Sequence, residues 1–263
     1  MNDARLRLPL ALAALPLVCF LVFPVAGLLL RASGEDILAT FLGAQAAQAV
    51  TLSVTTTLLT VFIAVVCGTP AAYVIARKKF PGKSVLDALV DLPVVLPPSV
   101  AGIALLVTFG RRGMLGGMLA SLGIELPFTV AAVVMAQVFV AAPLYIRTLA
   151  VAFAAVDRDL ELAAAIDGAS RWQSFQRVTL PLSLRGAVGG AIMTWARALG
   201  EFGATIIFAG NFPGRTQTMP LAIYMGFELD LHVALTLAAV LLVTSFGVLA
   251  AVKSLAGRWI QSA

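Results

Sequence analysis

The chain is written in long apolar runs joined by short polar connections. Runs at about 8–30, 47–76, 85–109, 127–149, 186–209 and 232–252 each reach the roughly 20 apolar residues that a helix needs to cross a bilayer. Each is read as a transmembrane helix, six in all. The second is long enough to tilt or to project beyond the membrane. The third carries Pro93, Pro97 and Pro98, so it has to kink or break. Carbonyls freed by a break are tolerated at depth only where protein or a wet cavity satisfies them. The third run is therefore expected inside the bundle. The fold class is all-α: one polytopic membrane domain over 1–263, with four to six interior-facing helices and no room for a second, soluble domain.

Composition supports a bilayer as solvent. The chain is 60% hydrophobic and 12% charged, against about a quarter charged in soluble domains. Its net charge of +5 does not indicate nucleic acid, because the positive residues sit in short loops and not on one aromatic-studded face. Arg5, Arg7, Arg77, Lys78, Lys79, Lys83, Arg147, Arg158, Arg171, Arg177, Arg185, Lys253 and Arg258 fall on one side of the membrane. Arg31, Arg111, Arg112 and Arg215 fall on the other. The excess of Lys and Arg places the first set, and both termini, in the cytoplasm; 157–181 then faces the cytoplasm and 210–231 faces outward. Arg5 and Arg7 before the run Leu8–Leu30 have the look of a signal peptide. That run is too long for a usual h-region and no small-x-small site follows, so an uncleaved span is expected. Cys19 and Cys67 lie within apolar runs and are read as core residues, not as a disulfide or metal site.

Few residues offer chemistry. Gly82-Lys83-Ser84 looks like the end of a phosphate-binding loop, but the glycine that should open the loop is replaced by Arg77 and a span precedes it. A basic turn is the better reading, so the chain is not expected to bind ATP. His232 is the one histidine, which excludes a histidine metal cluster; no metal site and no catalytic constellation is read. Asp87 and Asp91 are spaced i, i+4 and are read as the solvated, dipole-favoured start of a helix. Arg197 and Glu201 differ, since they lie within the fifth run. A charge at mid-membrane costs ~2.5–3.5 kcal/mol on insertion scales and faces the bundle interior or a wet path. Two readings stand side by side: a translocation pathway, with Pro97 and Pro98 of the third run, or an ion pair that joins helices. Gly200, Gly203 and the Gly186–Gly190 pair permit close helix approach.

The stretch Asp157–Pro181 lies between spans yet is strongly charged. It is read as two short amphipathic helices joined at Gly168, with Ser170 capping the second and Pro181 ending the pattern. Small residues allow close approach to another surface, and Trp172 and Phe175 offer apolar anchors. The segment resembles the cytoplasmic docking (EAA) loop of ABC importer permeases, here at about 151–184. Ala163 and Ala164 match the two alanines, Gly168 the glycine, and Val178-Thr179-Leu180-Pro181 the closing motif. The glutamate position holds Leu162, with Glu161 one residue earlier, so the resemblance carries the loop but not a specific salt bridge from that glutamate. Leu92–Gly102, Arg197–Thr205 and Ala209–Tyr224 are similar to the molybdate permease subfamily, with sulfate and thiosulfate permeases as close relatives.

The resemblance implies a type I ABC importer permease fold in the bacterial inner membrane and alternating-access import of molybdate, or tungstate. It also implies a second copy of the chain, a pair of cytoplasmic ABC ATPase subunits carrying ATP and Mg, and an extracytoplasmic oxyanion-binding protein. ATPase docking would fall to Leu162, Ala163, Ala164, Gly168, Ala169, Trp172, Phe175, Val178, Leu180 and Pro181. The competing classes are a sulfate or thiosulfate permease, an ATP-independent secondary transporter and a membrane-embedded enzyme. The secondary transporter would need no docking loop; the enzyme would need more facing polar groups than Arg197 and Glu201.

Overall fold

A computed structural model of the chain describes residues 3–32, 43–229 and 231–262, with side chains over 12–32, 43–229, 231 and 233–250. The side chains of Arg5, Arg7, His232, Lys253 and Arg258 lie outside the described residues. Helices account for all six apolar runs, but not as six straight rods. Among the described residues, four helices are individually long and apolar enough to span: α1 (Asp3–Arg31), α2 (Ala44–Arg77), α6 (Val130–Ala155) and α12 (Leu231–Ser262). At 34 residues, α2 is about 51 Å long at 1.5 Å per residue, more than the hydrocarbon thickness.

The third run is two helices, α3 (Lys83–Val95) and α4 (Pro98–Phe109), bent by 116°. Leu96 supplies the bend. A residue before proline is pushed out of the α region, and Leu96 is extended at ψ 136°. This corrects the expectation that the whole run lies inside the bundle. On α4, Ala101, Gly102 and Leu105 enter the core. On α3, Val85, Leu89, Leu92 and Val95 form an exposed face, while Leu86 and Val90 pack against the bundle. The fifth run is also broken, into α9 (Leu184–Leu199) and α10 (Gly203–Phe208).

The centre is α2, α6 and α9, brought together by small residues. A Cβ on Gly68 of α2 would sit 2.9 Å from Tyr145 Cδ1 of α6. One on Gly186 would collide with the Ala152 Cβ, and one on Gly190 would lie 3.2 Å from Thr148 and Tyr145. The small-xxx-small pair therefore works as expected, against α6. A second core joins α4, α6 and α10, and a third joins the start of α2 to α11 (Met219–Leu229) and α12. Helix α1 lies along α12 with Phe20, Phe23 and Leu30 exposed. Cys67 is exposed and Cys19 half-buried, and both are free thiols; neither is the buried core residue that the apolar runs around them suggest.

Candidate functional site

The loop between α6 and α9 is ordered by its own chemistry. Asp157 accepts from the Asp159 N–H at 3.0 Å and caps α7 (Arg158–Ile166). Gly168 follows at φ +88°, a left-handed conformation that glycine adopts without strain. Ser170 then caps α8 (Arg171–Ser174) in a reciprocal box: its Oγ accepts from Gln173 N–H, and Gln173 Oε1 accepts from Ser170 N–H at 2.8 Å. The chain does not stop at Pro181. It continues through a π-helical turn at Phe175–Thr179 and a further turn at Leu180–Leu182 into α9. Proline is tolerated there because the π-helical turn just before it departs from the regular i→i−4 ladder that a proline would break, with the Leu180 N–H donating to the Phe175 carbonyl.

Two faces of this loop do different things. Phe175 and Leu180 pack against the chain's own α2–α6 core, with Phe175 edge-on to Tyr73 at 5.1 Å. Val178 is half-buried in the same turn. Phe175 thus ties the loop to its own bundle and does not await a partner. Trp172 stacks on Phe175 at 5.5 Å and leaves its outer face free, 63% exposed. On α7 the side chains of Leu162 and Ile166 are 60% and 86% exposed with no neighbour to cover them. Ala163, Gly168 and Pro181 are exposed, and Ala164 and Ala169 half-buried. The free apolar face is that of α7.

Glu161, for which the motif gave no partner, has one. Its Oε1 lies 3.1 Å from Arg77 Nη2 and accepts from Thr179 Oγ1 at 2.6 Å. Arg77 also donates to the Val156 carbonyl at 2.8 Å. One carboxylate therefore joins the end of α2, the start of the loop and its return. A second joint was missed by sequence reasoning. Arg147 of α6 donates from Nη1 to Asp87 Oδ1 at 2.8 Å, from Nη2 to the Asp87 carbonyl at 2.6 Å and to Asp91 Oδ2 at 2.8 Å. Asp87 and Asp91 are thus not a free, solvated helix start but a clamp that holds α3 to α6. Their i, i+4 spacing was the visible signal; Arg147 had been counted only as a topology charge. Gln137 is a third case. It accepts from Thr60 and donates to Thr56 at 3.0 and 3.2 Å, sealing a polar seam between α2 and α6.

Arg197 and Glu201 do pair, at 2.7 Å between Nη1 and Oε2, but not along a continuous helix. α9 ends at Leu199 and Gly200 closes it. Glu201 sits in the break, 1% exposed, and its Oε1 accepts from the Ala204 N–H at 2.8 Å, satisfying the start of α10. Oε2 is close to Arg197 but off the hydrogen-bonding axis, and Arg197 is one-third exposed. Pro97 and Pro98 open α4 at the other break. The two breaks meet: a Cβ on Gly203 would sit 2.7 Å from the Pro98 Cβ, and one on Gly102 2.9 Å from the Ala204 carbonyl. Gly203 therefore serves close approach, whereas Gly200 serves the helix end.

Comparison with known proteins bears on both features. Residues 64–253 match the family described as "Binding-protein-dependent transport system inner membrane component". The molybdenum transport system permease protein ModB of Mycobacterium tuberculosis (strain ATCC 25618 / H37Rv) is 39% identical, over 89% of this chain and 89% of its own. ModB of Escherichia coli (strain K12) is 44% identical, over 67% and 78%. The sulfate transport system permease protein CysW of Synechococcus elongatus (strain ATCC 33912 / PCC 7942 / FACHB-805) is 35% identical, over 92% and 89%. Among solved structures, a bacterial alginate ABC transporter in complex with a pentasaccharide-bound periplasmic protein superposes with a TM-score of 0.74 at 17% identity, covering 97% of this chain and 95% of that one.

Proposed function

The chain belongs to the family of inner-membrane components of binding-protein-dependent transport systems, and we propose that it is the permease of an ATP-driven importer of molybdate or tungstate. It is a multi-pass transporter subunit, not an enzyme. The oxyanion assignment is supported by identities of 39% and 44% to molybdenum permeases, above the 35% to a sulfate permease. The observation that carries the coupling mechanism is the ordered loop with an uncovered apolar face at Leu162 and Ile166. In the proposed assembly two copies of the chain face one another across the pathway. Their loops face the cytoplasm, each seated on an ATPase subunit that binds ATP and Mg. A binding protein delivers the oxyanion to the opposite side.

The joints between the loop and the bundle suit such a task. Movement imposed on α7 passes through Glu161 and Arg77 to α2, and through Phe175 to α2 and α6. The α4 and α10 breaks are where the bundle can pivot, since the helical hydrogen-bond ladder is interrupted at both. Alternating access needs two conformations whose balance the ligands shift. Arg197 offers the passing oxyanion a fixed positive charge, and Glu201 moderates it so that the anion is released. The test is co-purification with the candidate ATPase, followed by ATP turnover with the binding protein present. Molybdate should stimulate turnover, and uptake of labelled molybdate should resist excess sulfate. Stimulation by sulfate alone overturns the substrate; failure to co-purify overturns the assembly.

A further inference from the structure

Beside the docking loop lies an open groove of about 490 Å³ lined by Thr69, Pro70, Tyr73, Val74, Trp172 and Phe175. Lys78 and Arg171 stand at its mouth. Its walls are almost wholly apolar, and among the described residues neither cation has a carboxylate within ion-pair distance. The groove does not end at the loop. Up α2 from Val74, the residues Pro70, Val66, Phe62 and Leu59 recur every three or four positions and are all exposed. That spacing places them on one face of the helix. From Leu59 to Val74 the stripe climbs about 22 Å at 1.5 Å per residue, about three quarters of the ~30 Å hydrocarbon core.

We propose that this groove and stripe seat an anionic phospholipid, its phosphate between Lys78 and Arg171 and one acyl chain along Val74, Pro70, Val66 and Phe62. Three observations select a lipid over a protein occupant. The stripe is long enough to line a single leaflet. The charge sits only at the end that the basic loops mark as the membrane surface, where anionic headgroups attract Lys and Arg. Trp172 stands between the two with one ring face on Phe175 and the other free, as indole rings do at the headgroup level. The apolar face left for the ATPase is a different one, on α7. Seated lipid would brace the loop against α2 through Trp172 and Phe175. The inference goes beyond the transport reading and survives its failure, because lipid binding is measured without substrate, ATPase or transport.

The experiment uses the full chain in nanodiscs of phosphatidylcholine, with Trp195→Phe and Trp259→Phe leaving Trp172 as the fluorophore. Brominated phosphatidylglycerol, added at low mole fraction, should quench Trp172 more than brominated phosphatidylcholine at the same fraction. Each cation should contribute about fivefold to the preference. Lys78→Gln with Arg171→Gln should reduce the ratio to about one, and Lys78→Arg should preserve it. Equal quenching by both lipids overturns the proposal, as does a preference that the double substitution leaves intact. Absence of quenching by either lipid means that protein covers the groove, a second copy of the chain included, and overturns it as well. Both cations are on the surface, so the double variant is expected to fold; Lys78→Arg reports on the charge even if it does not.

Discussion

Glu201 is held by two contacts of different kind, one from the Ala204 N–H and one from the Arg197 guanidinium. Substitution of Arg197 removes only the second. The carboxylate then keeps its place at the start of α10 but loses its counter-charge while 1% exposed. Lysine restores charge without the planar fork of arginine. Arg197→Lys is therefore expected to retain more oxyanion uptake than Arg197→Gln, with both variants still assembling with the ATPase. Normal uptake by Arg197→Gln would remove the pathway role; loss of assembly in both would reduce the pair to a joint between helices. Arg147 lends itself to a stability measurement. Its partners are partly exposed, and such pairs contribute about 0.2–1 kcal/mol each. Arg147→Gln should cost about 0.4–2 kcal/mol in the detergent-solubilised protein on that basis, and hydrogen exchange should rise within 83–95. Unchanged exchange there would show that α3 is held by Leu86 and Val90 alone.

At the scale of elements, the docking loop turns on a single backbone angle. Gly168 has φ +88°, and nothing lies within 4 Å of where its Cβ would be. The requirement is conformational, not one of space. A side chain in the left-handed region costs roughly 1–2 kcal/mol, and Asn tolerates it better than most. Gly168→Val should therefore reorient α7 relative to α8 and lower the ratio of uptake to ATP hydrolysis, Gly168→Ala less so, and Gly168→Asn least. Uptake at the normal ratio in Gly168→Val, at normal expression, would sink the idea. The turn was legible because glycine, Ser170 and Gln173 each announce a local geometry. Pro181 announces a stop in the same way, yet it follows a π-helical turn that the sequence does not announce, and the helix runs on through it. The break after Leu199 is not legible in the sequence. A glycine among apolar residues signals close packing or a helix end equally well, and only the neighbour, Pro98 for Gly203, decides between them.

For the whole molecule, hydropathy located every apolar run but not its direction. Apolarity reports transfer from water, and α3 satisfies it at the surface as well as a straight span would, which is why the 116° bend was not foreseen. The charges carried more than topology: Arg147, Asp87, Asp91, Arg77 and Glu161 are joints, invisible in a one-dimensional count because their partners lie 56 or more residues away. The structure sharpens the choice of positions for a test of orientation. Arg77, Lys78, Arg158 and Arg171 gather around one groove at the loop, as the positive-inside rule requires of a single cytoplasmic side. Thr216 is a poor reporter of the other side, being buried with its Oγ accepting from the Phe212 N–H. Arg215 beside it is exposed, and so is Asp167 in the docking loop. In a Cys19→Ser, Cys67→Ser background, Arg215→Cys should react with an impermeant maleimide in intact cells, and Asp167→Cys only after permeabilisation. The reverse pattern would invert the molecule in the membrane and remove the loop from the reach of any cytoplasmic ATPase.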